Sequence, residues 1–248
     1  VSGRVWLVGA GPGDPELLTL RAARLLSEAD VVLHDALIPA ATLALVPAGA
    51  RCVCVGKRAG QPSWRQEDIH RAMAEAADEG LRVVRLKVGD PFVLGRGGEE
   101  ALAMAAQGIP CEVVPGITSA TAAAAWAGIP VTHRGLASAV LVVSGHAPEA
   151  YEAALGSLAP GSATVVILMG LRTAVRTSDL LLAHGWSPVT PAALILGAWT
   201  DAGVAWRGTL AELAAVEPPM GPDAPPGALV IGAVAALTLA GAAGATMG

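Results

Sequence analysis

The sequence predicts an α/β fold made of two α/β domains, residues 1–114 and 115–248. Apolar, strand-like runs alternate with helix-period patterns almost to the end of the chain, the signature of βαβ units around a mainly parallel sheet. Glycine turns follow several of those runs directly, as they do where open α/β sheets hold ligands at the C-terminal ends of strands. Near Pro115 the pattern restarts as a second, more β-rich series with no glycine loop after its first strand. At 248 residues the chain is long enough for two such cores.

The first series opens with the strand RVWLVGA and the helix PELLTLRAARLLSEAD, whose apolar face is expected from Leu17, Leu18, Leu20, Leu25 and Leu26. VVLHDAL is the second strand and RCVCVG the third. Ser63 followed by Gln66 reads as a capping box opening a helix that runs to Glu79 and Gly80. RVVRLKVGD, the helix EEALAMAAQG and the strand CEVVPG complete the domain. The second series runs through the helix ITSATAAAAWAG, the strand AVLVVSGH, the helix EAYEAALGSL, the strand TVVILMG and a helix ending in LLLAHG. The strands AALILGAWT and ALVIGAV follow, with Pro-rich EPPMGPDAPPG between them as a surface loop.

Composition narrows the function. The chain is 53% hydrophobic and 15% charged, with a net charge of -5 and no run of Lys or Arg, which excludes a nucleic-acid backbone as partner. An anionic substrate would have to be met by a few focused arginines. The stretch from Ala224 to Gly248 carries no charge, but Ala and Gly dominate it and no basic flank adjoins it, so a buried strand with a small-residue tail is expected and not a membrane span. The apolar run in VSGRVWLVGAGPG is too short for a secretion signal. Cys52, Cys54 and Cys111 have no metal-ligand spacing, and no metal site is expected; Cys52 and Cys54 read as buried core thiols in a reducing, cytoplasmic setting.

The segment from Arg85 to Glu100, RLKVGDPFVLGRGGEE, concentrates the chemistry. It joins an apolar strand to a Gly-Asp-Pro turn, a glycine loop around Arg96 and a helix start bearing Glu99 and Glu100, so backbone can approach a ligand closely beside free amides. Asp35 and Lys57 end neighbouring strands and form a candidate acid/base pair; Lys57, Arg58 and Arg96 serve equally well to neutralise substrate carboxylates. The turn Gly9-Ala10-Gly11-Pro12-Gly13-Asp14 leaves a dinucleotide site open, with Asp35 as its ribose acid. Asp14, however, stands where that fingerprint needs its third glycine. Arg134, His146 and Met169 lie at further turns and strand ends.

In order and spacing, GAGPGDPELLTL, VGKRAG, LKVGDPFVLGRGGEE, VVPGITSA, AGIPVTHRG, VSGH, MGL and GALVIG resemble the tetrapyrrole methylases, over nearly the whole chain. The resemblance implies the tetrapyrrole methylase fold, with the cofactor in a cleft between the two domains, and a homodimer. It implies S-adenosyl-L-methionine as methyl donor, S-adenosyl-L-homocysteine as its product, and methylation of two ring carbons of the tetrapyrrole uroporphyrinogen III to give precorrin-2, towards sirohaem and cobalamin. A methylase acting on a later cobalamin precursor, a nicotinamide-dependent oxidoreductase and a tetrapyrrole carrier are the alternatives. Matched motif by motif, the resemblance assigns cofactor contacts to Pro12, Val88, Gly89, Asp90, Val93, Thr118, Ser119, Met169 and Ala198. It assigns catalytic roles to Asp35, Lys57 and Arg96, and substrate contacts to Glu99, Arg134 and His146, with Arg96 also a candidate anchor. The chain departs from the pattern at Val88, where glycine is usual, at His34, where tyrosine is common, and at Leu94, where phenylalanine is. A β-branched Val88 predicts extended backbone there or a slightly displaced loop.

Overall fold

Five short apolar runs become the strands β1 (Arg4–Gly9), β2 (Val31–His34), β3 (Arg51–Cys54), β4 (Arg82–Lys87) and β5 (Cys111–Val114). They pair in parallel in the order β3-β2-β4-β1-β5. The computed structural model describes residues 3–56, 64–221, 224–237, 239 and 245–246. Two units divide the chain, Val1–Thr118 and Ser119–Gly248, each with its own sheet.

In the first unit β2 and most of β1 are continuous apolar runs because both sheet faces are covered, whereas the central β4 carries Arg85 and Lys87 among its apolar residues. Helices α1 (Leu20–Ser27), α2 (Ala40–Leu43), α3 (Gln66–Asp78) and α4 (Gly97–Ala106) follow the chain order. Val5, Leu7, Val31, Leu33 and Val83 pack with Ile69 and Met73 of α3 and Met104 of α4. Val8, Val32, Val84, Leu86 and Val114 pack with Ala22, Leu25 and Leu26 of α1 on the other face. The alternation puts Arg85 and Lys87 on the α3/α4 face, in line with Val83.

Three local expectations change. The first helix is broken: the Asp14 carboxylate accepts from the Glu16 amide at 2.8 Å to cap a single 3-10 turn, Pro15–Leu17. The Thr19 hydroxyl then accepts from the Ala22 amide at 3.1 Å and starts α1 afresh, a standard N-cap bond. Leu20 therefore sits at the first exposed position, 92% accessible, and not on the apolar face. Helix α3 is preceded by Arg65 with no side-chain cap, and Ser63 lies outside the described residues. Cys52 and Cys54 are exposed, because β3 is the edge strand of its sheet.

The second unit contains β6 (Val140–Ser144), β7 (Thr164–Leu168), β8 (Pro191–Leu196), β9 (Val204–Thr209), β10 (Gly227–Ile231) and β11 (Ala245–Thr246), in the order β11-β9-β8-β10-β7-β6. The sheet is mixed: β6 pairs with β7 and β11 with β9 in parallel, whereas β10 runs antiparallel to β7 and β8, and β8 antiparallel to β9. The expected parallel arrangement fails here because β9 is a further strand that folds back on β8. Its Arg207 and Gly208 interrupt the apolar signal. The Arg207 guanidinium donates to the carbonyls of Ala235 at 2.9 Å and Leu237 at 2.7 Å, and to that of Ala127. Burial pushes its pKa down.

Helices α5 (Ser119–Trp126), α6 (Pro148–Gly156), α7 (Ala174–Ala183) and α8 (Leu210–Leu213) complete this unit. The nearly all-alanine α5 lies close on one face, with Ala120, Ala123 and Ala124 against Val166, Ala193 and Val230. Tyr151 and Leu155 of α6 and Leu181 of α7 cover the other face. The uncharged C-terminal stretch supplies the buried β10, as expected, and among the described residues no helix is long and apolar enough to cross a membrane.

The thiols offer a direct check. Burial, reinforced by the Glu100 carboxylate, pushes the half-buried Cys111 thiol up to about 11, while Cys52 and Cys54 stand exposed. Because the thiolate is the reacting form, an alkylating reagent near neutral pH is expected to label Cys52 and Cys54 well before Cys111 in peptide mass spectrometry. Equal labelling rates at all three would contradict the packing of β5 on α4.

Candidate functional site

The C-terminal rim of the first sheet is built where β1, β4 and β5 end in glycine. Gly11 and Gly89 form an isolated antiparallel bridge, with amide to carbonyl distances of 3.2 and 2.8 Å, and the Ala10 amide donates to the Lys87 carbonyl at 2.8 Å. Side chains cannot fit there: a Cβ on Gly9 would stand 2.5 Å from the Gly116 nitrogen and 2.6 Å from the Gly89 carbonyl oxygen. Gly89 takes φ +67°, which glycine tolerates. Val88, as its branching predicts, is absent from the positive-φ residues.

Each carboxylate at this rim has a definite partner. Asp90 accepts from the Phe92 amide at 2.8 Å and from the Gly116 amide at 3.0 Å, so it stitches the loop after β4 to the end of β5. Asp35, just past β2, accepts from Arg85 Nη2 at 2.5 Å through Oδ1 and from the Val88 amide at 3.1 Å through Oδ2. Its visible cation is therefore Arg85; the expected partner Lys57 lies outside the described residues. Each Asp35 oxygen thus has one protein donor and keeps a further lone pair.

Beneath the rim lies a charge cluster that the sequence reading did not single out. Arg85 donates through Nε to Glu100 Oε1 at 3.1 Å and through Nη1 to the carbonyls of Leu33 and Leu86. Lys87 Nζ lies 3.1 Å from Glu100 Oε1 and 3.0 Å from Oε2, and Gln66 Nε2 donates to Oε1 at 3.1 Å. Arg85 and Lys87 side chains are 4% exposed and Glu100 is fully buried. Burial, and then the like charge of Arg85, push the Lys87 pKa down, opposed by Glu100 and Asp35. For Arg85 burial acts the same way, but Asp35 and Glu100 outweigh it and hold its pKa up. Removing one partner of such a buried pair costs about 3–5 kcal/mol.

Above the cluster, Pro91, Phe92 and residues 94–99 line an open depression of about 420 Å³. Leu94 and Arg96 adopt φ +55° and +60°, strained values for side-chain-bearing residues, of the kind that cluster at ligand clamps and active sites. Arg96 precedes α4 and is bound by Glu99 at 2.9 and 2.6 Å, both side chains remaining more than half exposed. Val93 is half-buried in the same loop, and Pro12 is half-buried on the turn after β1. Thr118 closes this unit.

The remaining candidates belong to the second unit, where Ser119 opens α5. His146 follows β6 and Met169 follows the parallel β7; Gly145 donates to the Leu168 carbonyl at 2.8 Å, so the two strand ends are adjacent. Since β7 and β8 both run antiparallel to β10, Ala198 lies beyond the same edge of the sheet. Met169 and Trp199 take φ +57° and +64°, and Trp199 Nε1 donates to the Ala122 carbonyl at 2.8 Å. Arg134 is not grouped with them: it is exposed in the turn closed by the His133–Ala137 bridge, ahead of β6. Among the described residues no cluster of three or more His, Cys, Asp or Glu could hold a metal.

Comparison with known proteins gives consistent matches. Residues 4–214 match the family model of the Tetrapyrrole (Corrin/Porphyrin) Methylases. An S-adenosyl-L-methionine-dependent uroporphyrinogen III methyltransferase of Methanosarcina barkeri is 49% identical over 218 residues, covering 86% of this chain and 85% of that protein. A siroheme synthase of Nitrosococcus oceani is 48% identical over 85% of this chain, which spans only 45% of that longer protein. Among solved structures, the uroporphyrin-III C-methyl transferase of Thermus thermophilus complexed with S-adenyl homocysteine is 42% identical with a TM-score of 0.79, covering 94% of this chain and 98% of that one. A cobalt precorrin-4 methyltransferase is 28% identical with a TM-score of 0.80, covering 92% and 94%. With more than half its length matched by the family model and with relatives this similar, the chain belongs to the tetrapyrrole (corrin/porphyrin) methylases.

Proposed function

We propose that this protein transfers methyl groups from S-adenosylmethionine to two ring carbons of uroporphyrinogen III, giving precorrin-2 on the route to sirohaem and cobalamin. The observation that carries the proposal is the match to the Methanosarcina barkeri enzyme, 49% identical along 85% of that protein's length. From the siroheme synthases the proposal takes only the part that this chain matches, about half their length. Of the two methylase readings, action on uroporphyrinogen III is favoured by 42% identity to the Thermus thermophilus structure against 28% to the cobalt precorrin-4 methyltransferase.

When bound, S-adenosylmethionine supplies an electrophilic methyl group. Pro12, Val88, Gly89, Asp90, Val93 and Thr118 of the first unit and Ser119, Met169 and Ala198 of the second are assigned to hold it. The rim is rigid before any ligand binds: Gly9 and Gly116 pack backbone against backbone with Gly89 and leave no space for a Cβ, and the Asp90 carboxylate is committed to two amides. Alignment of donor and ring carbon accounts for most of the rate, since orientation alone can supply about 7–11 kcal/mol.

Arg96 and Arg134 are assigned to the substrate's carboxylates, with His146 as a further contact. Arg96 is pre-positioned by Glu99, and this exposed pair is weak enough for a substrate carboxylate to take over one donor. Asp35 is assigned the proton that the ring loses after methylation, with Lys57 as its acid/base partner. The reading extends to a homodimer acting in the cytoplasm, on the strength of the family resemblance.

Incubation with methyl-labelled S-adenosylmethionine and uroporphyrinogen III under anaerobic, reducing conditions is expected to give a dimethylated product by mass spectrometry; no incorporation of label would contradict the proposal. Arg96→Ala removes charged hydrogen bonds worth about 1.5–3 kcal/mol, so turnover at low substrate is expected to fall roughly 10- to 100-fold. S-adenosylhomocysteine binding, measured by calorimetry, should stay nearly unchanged. Loss of that binding instead would move Arg96 from the substrate to the donor.

A further inference from the structure

Resting on the methyltransferase reading and on Asp35 as proton acceptor, we propose that Arg85 is the positioning residue that aims the Asp35 carboxylate. Arg85 sits in the centre of β4, flanked in register by Leu7 of β1 and Leu33 of β2, at a position where an apolar residue would satisfy the sheet. A buried guanidinium there is costly. All three of its nitrogens are nevertheless engaged: Nε on Glu100, Nη1 on the Leu33 and Leu86 carbonyls, Nη2 on Asp35.

Among the described charged residues of the cluster, Asp35 is the one that reaches solvent. Arg85 and Lys87 are 4% exposed and Glu100 is fully buried, but Asp35 is 28% exposed. Its two oxygens are fixed independently, Oδ1 by Arg85 and Oδ2 by the Val88 amide, which sets the plane of the carboxylate relative to the loop after β4. Among the described residues the charged groups packed around it are Arg85 and Lys87 of β4 and Glu100 of α4; with Asp35 ionised, these two cations face two carboxylates. The His34 ring is turned to the Asp35 carbonyl at 2.9 Å and not to its carboxylate.

The step it serves is balanced. Methylation of a pyrrole carbon leaves a cationic ring carrying one excess hydrogen. The methylated carbon, already substituted, carries no hydrogen; a C–H bond of an adjoining bridge carbon breaks, its electron pair returns to the ring and cancels that charge, and the proton passes to Asp35 and out through its exposed side. Arg85 touches neither ring nor donor and acts through Asp35.

Kinetics of variants test this. Arg85→Gln combined with Glu100→Gln removes one charge of each sign, leaving Lys87 facing Asp35, so the cluster stays balanced; Arg85→Lys keeps the charge but loses the fork. For the double variant kcat is expected to fall on the order of 100-fold, the scale of a misplacement of about 1 Å. The substrate KM and S-adenosylhomocysteine affinity should stay near wild type. Arg85→Lys should recover part of the loss. In an Asp35→Asn background, adding the double substitution should lower kcat no further, because residues acting as one unit are not additive. A double variant with wild-type kcat, a parallel loss of kcat and S-adenosylhomocysteine binding, or additive losses with Asp35→Asn would overturn the proposal. Failure of the wild type to methylate uroporphyrinogen III would instead overturn the methyltransferase reading, and this inference with it.

Discussion

Glu100 is buried completely and meets both Arg85 and Lys87, and through Arg85 that contact holds the Asp35 carboxylate at the rim of the first sheet. The two cations come from alternate positions of β4 and the carboxylate from the first turn of α4, where the helix N-terminus adds its own favourable field. A neutral sheet would have sealed this end of β4 with valines and left the following loop to find its own place. Charge in a dry setting is directional, and it pins strand, helix and loop together. A Cβ on Gly95 would stand 3.0 Å from the Pro91 carbonyl oxygen and 3.5 Å from Lys87 Cε, so the glycine loop closes tightly over this end of β4.

From that anchor the functional features follow in order. Arg85 reaches across to Asp35, Asp35 reaches back to the Val88 amide, and the Asp90 carboxylate ties the next turn to Gly116. The strained backbone at Leu94 and Arg96 is held between the loop's glycines and α4, which keeps the Arg96–Glu99 pair at the surface. Rigid backbone below and an exchangeable ion pair above suit a reaction whose main demand is alignment.

Much of this architecture is legible in the sequence, because β1, β2, β4 and β5 are apolar runs ending in glycine or a charge, and because α3 and α4 carry a helical period. Strand β9 is not, since a charge and a glycine interrupt it, and Arg207 can be buried there only because three carbonyls converge on it. Cys52 and Cys54 mislead for a topological reason: alternation cannot distinguish an edge strand from a central one. Leu20 misleads because Thr19 restarts the helix and rotates the face.

At the site, sequence names the loop but not its support. Glu99 and Glu100 read as a pair of acids at a helix start, yet one lies in solvent on Arg96 and the other is sealed on Arg85 and Lys87. Within RVVRLK, two basic residues spaced by two on a β-strand could signal one polar face, but only the placement of α3 and α4 determines that the face is buried. The carboxylate and the loop are set before any ligand arrives. Amide hydrogen exchange at Val88, followed by NMR with and without S-adenosylhomocysteine, tests this most directly. Strong protection in the free protein that changes little on binding is expected; fast exchange that becomes protected only with ligand would mean that the ligand sets the loop.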